Sequence, residues 1–190
     1  MKKSIGKGAN ILPLPVLLIA TYNEDDSVDV MNAAWGGIYD DYKVIINLDP
    51  NHKSAKNIKE RGAFTISLGE GKYVSESDYF GLVSANKDKK KFEKSGFTAI
   101  KSDKVDAPII NEYSFALECK VDSLIEEKET VHVIGEIVDT LVDDSLLDDK
   151  GGVDVKKLDA LVFSTFDKNY YHLGSVAGKA FKAGVPLLKK

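Results

Sequence analysis

The 190-residue sequence contains one cysteine, Cys119. One thiol excludes an internal disulfide and a cysteine-based metal site. It lies in residues 115–121, an alternating run that reads as a strand, so a packed thiol is expected there. Histidine is scarce too. His52, His132 and His172 are far apart and lack paired ligand spacing, so no metal site is expected. Asp143, Asp144, Asp148 and Asp149 have the charge for calcium but lack the alternating register of a binding loop, and read as a solvated acidic segment. A basic excess is missing: 26 Lys+Arg stand against 30 Asp+Glu, for a net charge of -4. That balance argues against a dedicated nucleic-acid binder, although it leaves room for a local phosphate pocket. No apolar run approaches the ~18 residues needed to cross a bilayer, so no membrane association is expected.

The familiar catalytic signatures are also missing. Gly69, Gly71 and Lys72 resemble a scrap of a phosphate loop, but the glycine spacing is wrong and Tyr73 follows where Ser or Thr is needed. No G-x-G-x-x-G follows a strand, and no G-x-S-x-G is present. No side chain is therefore assigned a catalytic role. Redox chemistry carried by a bound cofactor remains open.

What is present is mostly strand. Residues 16–22, 28–31, 42–48, 63–68, 114–124, 131–141 and 161–163 are short apolar or alternating runs bounded by turn formers. Residues 54–61 read as a short helix ended by Gly62, with Ser54 as N-cap. Residues 75–83 read as a second helix despite Gly81. The lysine-rich residues 86–93 and the acidic residues 142–154 read as solvated loops or short helices. Lys2, Lys3 and Lys7 before the apolar residues 11–20 have a faint signal-peptide shape. Pro13, Pro15 and the lack of a clean small-x-small site favour a first strand instead, and a cytoplasmic protein. The expected fold is mainly β, a β-barrel with helical decorations, as one domain over residues 1–190. A tail from about residue 171 is expected to dock on the domain or on a dimer partner.

Three clusters carry possible function. Asn32, Ala33, Ala34 and Trp35, followed by Gly36 and Gly37, come straight after a strand. Asn32 supplies amide donors and an acceptor, the small residues open the backbone, and Trp35 gives a flat apolar face. A flavin ring needs such groups, and a core tryptophan packed among small residues would give the same pattern. His52, Lys53 and Ser54 precede a helix whose amides and dipole could hold a phosphate, or they begin an ordinary capped surface helix. Ser84, Ala85 and Asn86 lead into lysines ending at Lys91, a segment that could close over a cofactor or simply be solvated.

In this order the clusters resemble the flavoredoxin branch of the flavin reductase-like family. The likeness runs from about residue 14 to 184. It also takes in Asn57 with Ile58, Phe92, the 107–110 and 117–119 runs, His132 with Gly135 and Glu136, and residues 170–174. It departs from the family pattern at Ala85, where glycine is usual, and at Lys90, where Asp is usual. The segment from Ser84 to Phe92 is also one residue longer. The resemblance implies a split-barrel domain that forms a homodimer with FMN near the subunit interface. It places Asn32 and Trp35 near the flavin ring, Ser54 on the flavin or its phosphate chain, and Lys91 or Lys90 as a cofactor lysine. His132 falls where it could modulate the reduced ring, and Phe163 where an aromatic lines the site. The activity implied is electron transfer through FMN from NAD(P)H or a protein donor. A flavin carrier or storage protein without turnover is the alternative.

Overall fold

The computed structural model describes residues 1–189. Strands β1 (Leu14–Pro15), β2 (Leu17–Tyr22), β3 (Val28–Ala33), β4 (Gly36–Asp40) and β5 (Lys43–Leu48) come first. Helix α1 (Lys53–Arg61), β6 (Ala63–Leu68), α2 (Val74–Leu82) and α3 (Lys91–Ser95) follow. The chain then runs through β7 (Ala99–Lys101), β8 (Pro108–Ile110), the long hairpin β9 (Phe115–Glu126) and β10 (Val131–Val142), β11 (Leu161–Phe163) and β12 (Tyr170–His172).

Seven strands form one antiparallel sheet in the order β3-β2-β6-β9-β10-β5-β4. Its two edges, β3 and β4, are consecutive in the chain and joined only by Ala34 and Trp35. A flat seven-stranded sheet is about 29 Å across. The two-residue link reaches only about 11 Å. The sheet must therefore curl until its edges meet. Gly36 of β4 lying against the Leu17 side chain of β2 marks that seam. A Cβ on Gly36 would come within 2.8 Å of Leu17 Cδ1 across the seam and 2.9 Å of Ile45 O on β5, so a side chain there would force these strands apart.

The continuous apolar character of β2 follows from burial on both faces. Leu17 and Ile19 point into the barrel with Ile46, Phe64, Ile66 and Val133. Val16, Leu18 and Ala20 point outward, beneath Phe80 of α2, Ile110 and Tyr113. This second core places α2 over β3, with the α2–α3 loop beside the first turn of α1.

Three expectations are corrected. Strand β4 went unread because Gly36 and Gly37 look like punctuation, whereas Gly36 is required by the close seam. Ser54 is not the cap of α1. The N-cap is His52, which makes no side-chain capping bond, and the Ser54 hydroxyl is buried and turned to β3. The lysine run is not wholly solvated, since Lys91 is only 3% exposed. Strand β12 pairs with β11, and residues 171–188 are exposed in the single chain, Phe181 at 98%. Among the described residues no helix is long and apolar enough to cross a membrane.

Candidate functional site

Between β3, the start of α1 and the end of α2 lies a cavity of about 140 Å³. Its walls include Asp29, Asn32, His52, Lys53, Ser54, Ser84, Ala85 and Lys91. Most of two separate sequence clusters, and Asn32 of the third, thus meet at one place.

The helix end is built to accept an anion. Helix α1 presents Ala55 and Ile58 to the core and stops at Gly62, whose φ of 65° suits glycine. Lys59 and Arg61 complement its C-terminal dipole. At the N-terminus there is neither a side-chain cap nor an acidic residue in the first turn. The first-turn N–H groups and the positive end of the dipole are left to a ligand or solvent.

Lys91 adds a full charge. Its side chain is 97% covered, yet its ammonium makes no hydrogen bond among the described residues. The nearest carboxylate oxygen, Asp29 Oδ1, is 3.8 Å away, and that oxygen is itself without a hydrogen-bond donor. Asp29 Oδ2 accepts from the Ser54 hydroxyl at 2.5 Å. Burial pushes the Lys91 pKa below its ordinary value, and the Asp29 charge opposes that shift. An ammonium this far covered and short of hydrogen bonds gains from an anion that completes its coordination.

Asn32 is oriented, not free. Its amide nitrogen donates to Ser77 O at 2.9 Å and to Tyr170 Oη at 3.3 Å. The Tyr170 hydroxyl donates in turn to Asp78 at 2.9 Å. Burial, then the Asp78 bond, pushes the Tyr170 pKa up to about 12, so it stays a donor at neutral pH. Asn32 therefore offers a ligand its carbonyl oxygen rather than its amide donors. Ser54 likewise offers no free hydroxyl proton, because Asp29 holds it.

The remaining sequence-derived residues lie around this centre. Ala33 is buried in the barrel core, and Ala34 and Trp35 form the seam, with Trp35 50% exposed. His132 is on β10, bonded through Nδ1 to Asn47 Oδ1 at 2.7 Å, with Glu127 3.5 Å from Nε2. Phe163 packs on Tyr170, ring centroids 5.8 Å apart, and so touches the site through that tyrosine. Asn86 lines an adjoining cleft and donates to Asn51 O. Trp35, His132 and Phe163 do not line the cavity within one chain. Sequence reasoning missed Asp29. Its signal was a carboxylate at a position that β3 buries, between two valines.

The architecture is that of a curled antiparallel barrel with a cavity lined by Asp29, Lys53 and Lys91 beside the β3 edge of its sheet. Residues 9–170 match the family model described as flavin reductase like domain. The chain belongs to that family. It is similar in structure to the flavoredoxin of Desulfovibrio vulgaris (Miyazaki F), at 38% identity and a TM-score of 0.92, covering 97% of this chain and 100% of that one. The flavoredoxin from Methanosarcina acetivorans is 26% identical, with a TM-score of 0.88 over 98% of this chain and 100% of that one. A protein with a split barrel domain from Shewanella frigidimarina, 22% identical, shares the fold with a TM-score of 0.79 over 90% of this chain and 87% of that one. The fold is thus a mainly β split barrel. No curated protein matches the chain. Family membership supports a flavin-binding redox protein.

Proposed function

We propose that the protein holds FMN with its phosphate end at the N-terminus of α1 and Lys91, and passes electrons through it. The observation that carries this reading is Lys91, whose side chain is 3% exposed, whose ammonium makes no hydrogen bond among the described residues, and which lines the cavity beside an uncapped helix N-terminus. A phosphate dianion would supply acceptors to both. Asp29 keeps Lys91 charged and fixes Ser54, while Asn32, held by Ser77 and Tyr170, aims a carbonyl oxygen at the ligand. Bound flavin supplies the redox chemistry, and the protein supplies orientation and electrostatics.

The cavity is smaller than the roughly 300–1,000 Å³ usual for ligand pockets. In this reading a second copy of the chain completes it. The homodimer would bring Trp35 and His132, which stand outside the cavity of their own chain, toward the flavin of the other. The exposed tail, residues 173–188, would lie on the partner subunit. NAD(P)H or an electron-transfer protein is the donor.

The test is the visible absorption spectrum of the purified protein reconstituted with FMN, recorded before and after anaerobic NADH and NADPH. Bleaching by either nucleotide identifies a reductase and its donor. A bound flavin that stays oxidised identifies an electron carrier fed by another protein. A protein that fails to take up FMN overturns the proposal.

A further inference from the structure

A separate cavity of about 260 Å³ opens into the barrel and shares no lining residue with the cavity beside α1. Leu17, Ile46, Ile66 and Leu117 of the barrel wall line it, with Phe115 and Ile38. Ile38 is 74% exposed and marks the opening. No lining residue carries a polar side chain, so a water inside would find few partners. Empty space of this kind also forfeits dispersion contacts along its walls. A cavity of about 150 Å³ takes up benzene, so this one has room for an aromatic ring and the small groups beside it. Acidic residues adjoin two of its walls. Asp40 and Asp41 follow Ile38 along the chain, and Asp143 and Asp144 follow Val142, the strand partner of Phe115. All four are exposed.

The tail carries the complementary shape and charge. Residues 173–190 contain four lysines and no acidic residue. Lys182 N and Ala183 N donate to Lys179 O at 3.2 and 3.0 Å, closing a turn with Phe181 at its tip. Phe181 has a φ of 59°, in the left-handed region, which a bulky residue keeps only where its surroundings hold it. Yet it is 98% exposed, so nothing among the described residues packs around it. Ala180 and Ala183 are small enough to let the tip enter an opening, and Lys179 and Lys182 flank it. Strand β12 ends at His172, so the tip can reach about 30 Å from the fold. We propose that Phe181 of one copy seats in the barrel cavity of a second copy, with Lys179 and Lys182 against the aspartates beside the opening. The second copy is the occupant because the chain's own Phe181 stands clear of its own cavity. Ile38 also belongs to an exposed apolar group with Trp35, Tyr39 and Tyr42, so the opening is continuous with surface that a second copy would cover. A twofold axis would form the contact twice. The inference rests on the homodimer of the proposed function and adds the contact that locks it.

The test is sedimentation of the full chain and of Phe181→Ala over a concentration series, joined to disulfide mapping. Phe181→Ala alters an exposed residue, and thermal melting checks its fold. Wild type is expected to dimerise, and Phe181→Ala to raise the dimer Kd by about tenfold to a hundredfold, the range for an aromatic anchor in a pocket. For the mapping, Ala180→Cys puts a thiol beside the tip and Ile38→Cys puts one at the opening, while Cys119 is buried and does not compete. Mixing these two variants under oxidation is expected to link them chain to chain, at a yield well above that of either alone. A dimer whose Kd changes by less than about twofold in Phe181→Ala would overturn the inference and leave the dimer standing. A disulfide that forms only within a chain carrying both cysteines would also overturn it, because the tail would then close on its own barrel. A wild type that binds FMN as a monomer would overturn the inference together with the dimer beneath it, and would leave the phosphate placement at α1 intact.

Discussion

Lys91 is the residue on which the site turns. Lys91→Met is expected to weaken FMN binding by about tenfold to a hundredfold, the range for a hydrogen bond to a charged group. Equilibrium dialysis checks it. Because burial lowers the Lys91 pKa, its proton is lost below the ordinary 10.5. FMN affinity is thus expected to fall as pH rises toward 10.5, and Lys91→Met is expected to remove that slope. Stability of the apoprotein runs the other way: below 10.5 the unfolded chain holds the Lys91 proton more firmly than the folded one, so this residue's contribution rises with pH. Gly135 makes a different point about single residues. A Cβ there would sit 2.5 Å from Phe64 Cζ inside the barrel. Gly135→Ala is expected to destabilise the fold by about 1–3 kcal/mol through overpacking, seen as a lower urea midpoint. At this scale the sequence was only partly legible. It pointed to Asn32, Ser54 and Lys91, but their roles depended on partners far along the chain. Asp29 takes the Ser54 hydroxyl, and Ser77 with Tyr170 takes the Asn32 amide. No local pattern encodes such pairings.

Among the elements, α1 couples the site to the barrel. Its buried Asn57 donates to Thr21 Oγ1 at 3.0 Å and Asn23 Oδ1 at 2.9 Å, so it pins the helix to β2 and to the β2–β3 turn. Asn57→Ala is expected to cost about 1–3 kcal/mol, because it strands two buried acceptors. It should also weaken FMN binding by loosening the helix end, and chemical denaturation beside flavin titration measures both. Elements with clear periodicity were readable from sequence. Strand β2, helix α1 and the long β9–β10 pair lie within a few residues of where their patterns put them. Strand β4 was hidden by its glycines and by exposed Ile38 and Tyr39, which resemble neither a core strand nor a charged edge. The short β7–β8 pair also went unread, since three-residue strands carry too little pattern to register.

For the whole molecule, the unpaired features suggest a partner. Trp35, Ile38, Tyr39 and Tyr42 are exposed near the seam, and Phe181, Leu187 and Leu188 are exposed along the tail. In the proposed dimer the second copy would cover these residues. Sedimentation at micromolar concentration is expected to give a dimer of the 20.8 kDa chain. Removal of residues 173–190 is expected to weaken that dimer. A full-length monomer that still holds FMN would sink the interface placement. Mainly β architecture was legible in advance because strand runs and turn formers alternate along the chain. Which strands are neighbours was not, since β6 pairs with β9 and β5 with β10 across long stretches of sequence.

The two-residue seam at Ala34 and Trp35 has a kinetic consequence. Leu48 must find Val131, and Ala63 must find Lys120, before the sheet is continuous between its edges. Such distant pairings are slow to nucleate, because loop-closure entropy is lost before the contacts repay it. Hairpins such as β2–β3 can form early, but the wall shared by β3, α1 and the α2–α3 loop is complete only after the ring shuts. Flavin uptake should therefore trail the recovery of far-ultraviolet dichroism during refolding, making the cofactor a clock for the last step of assembly.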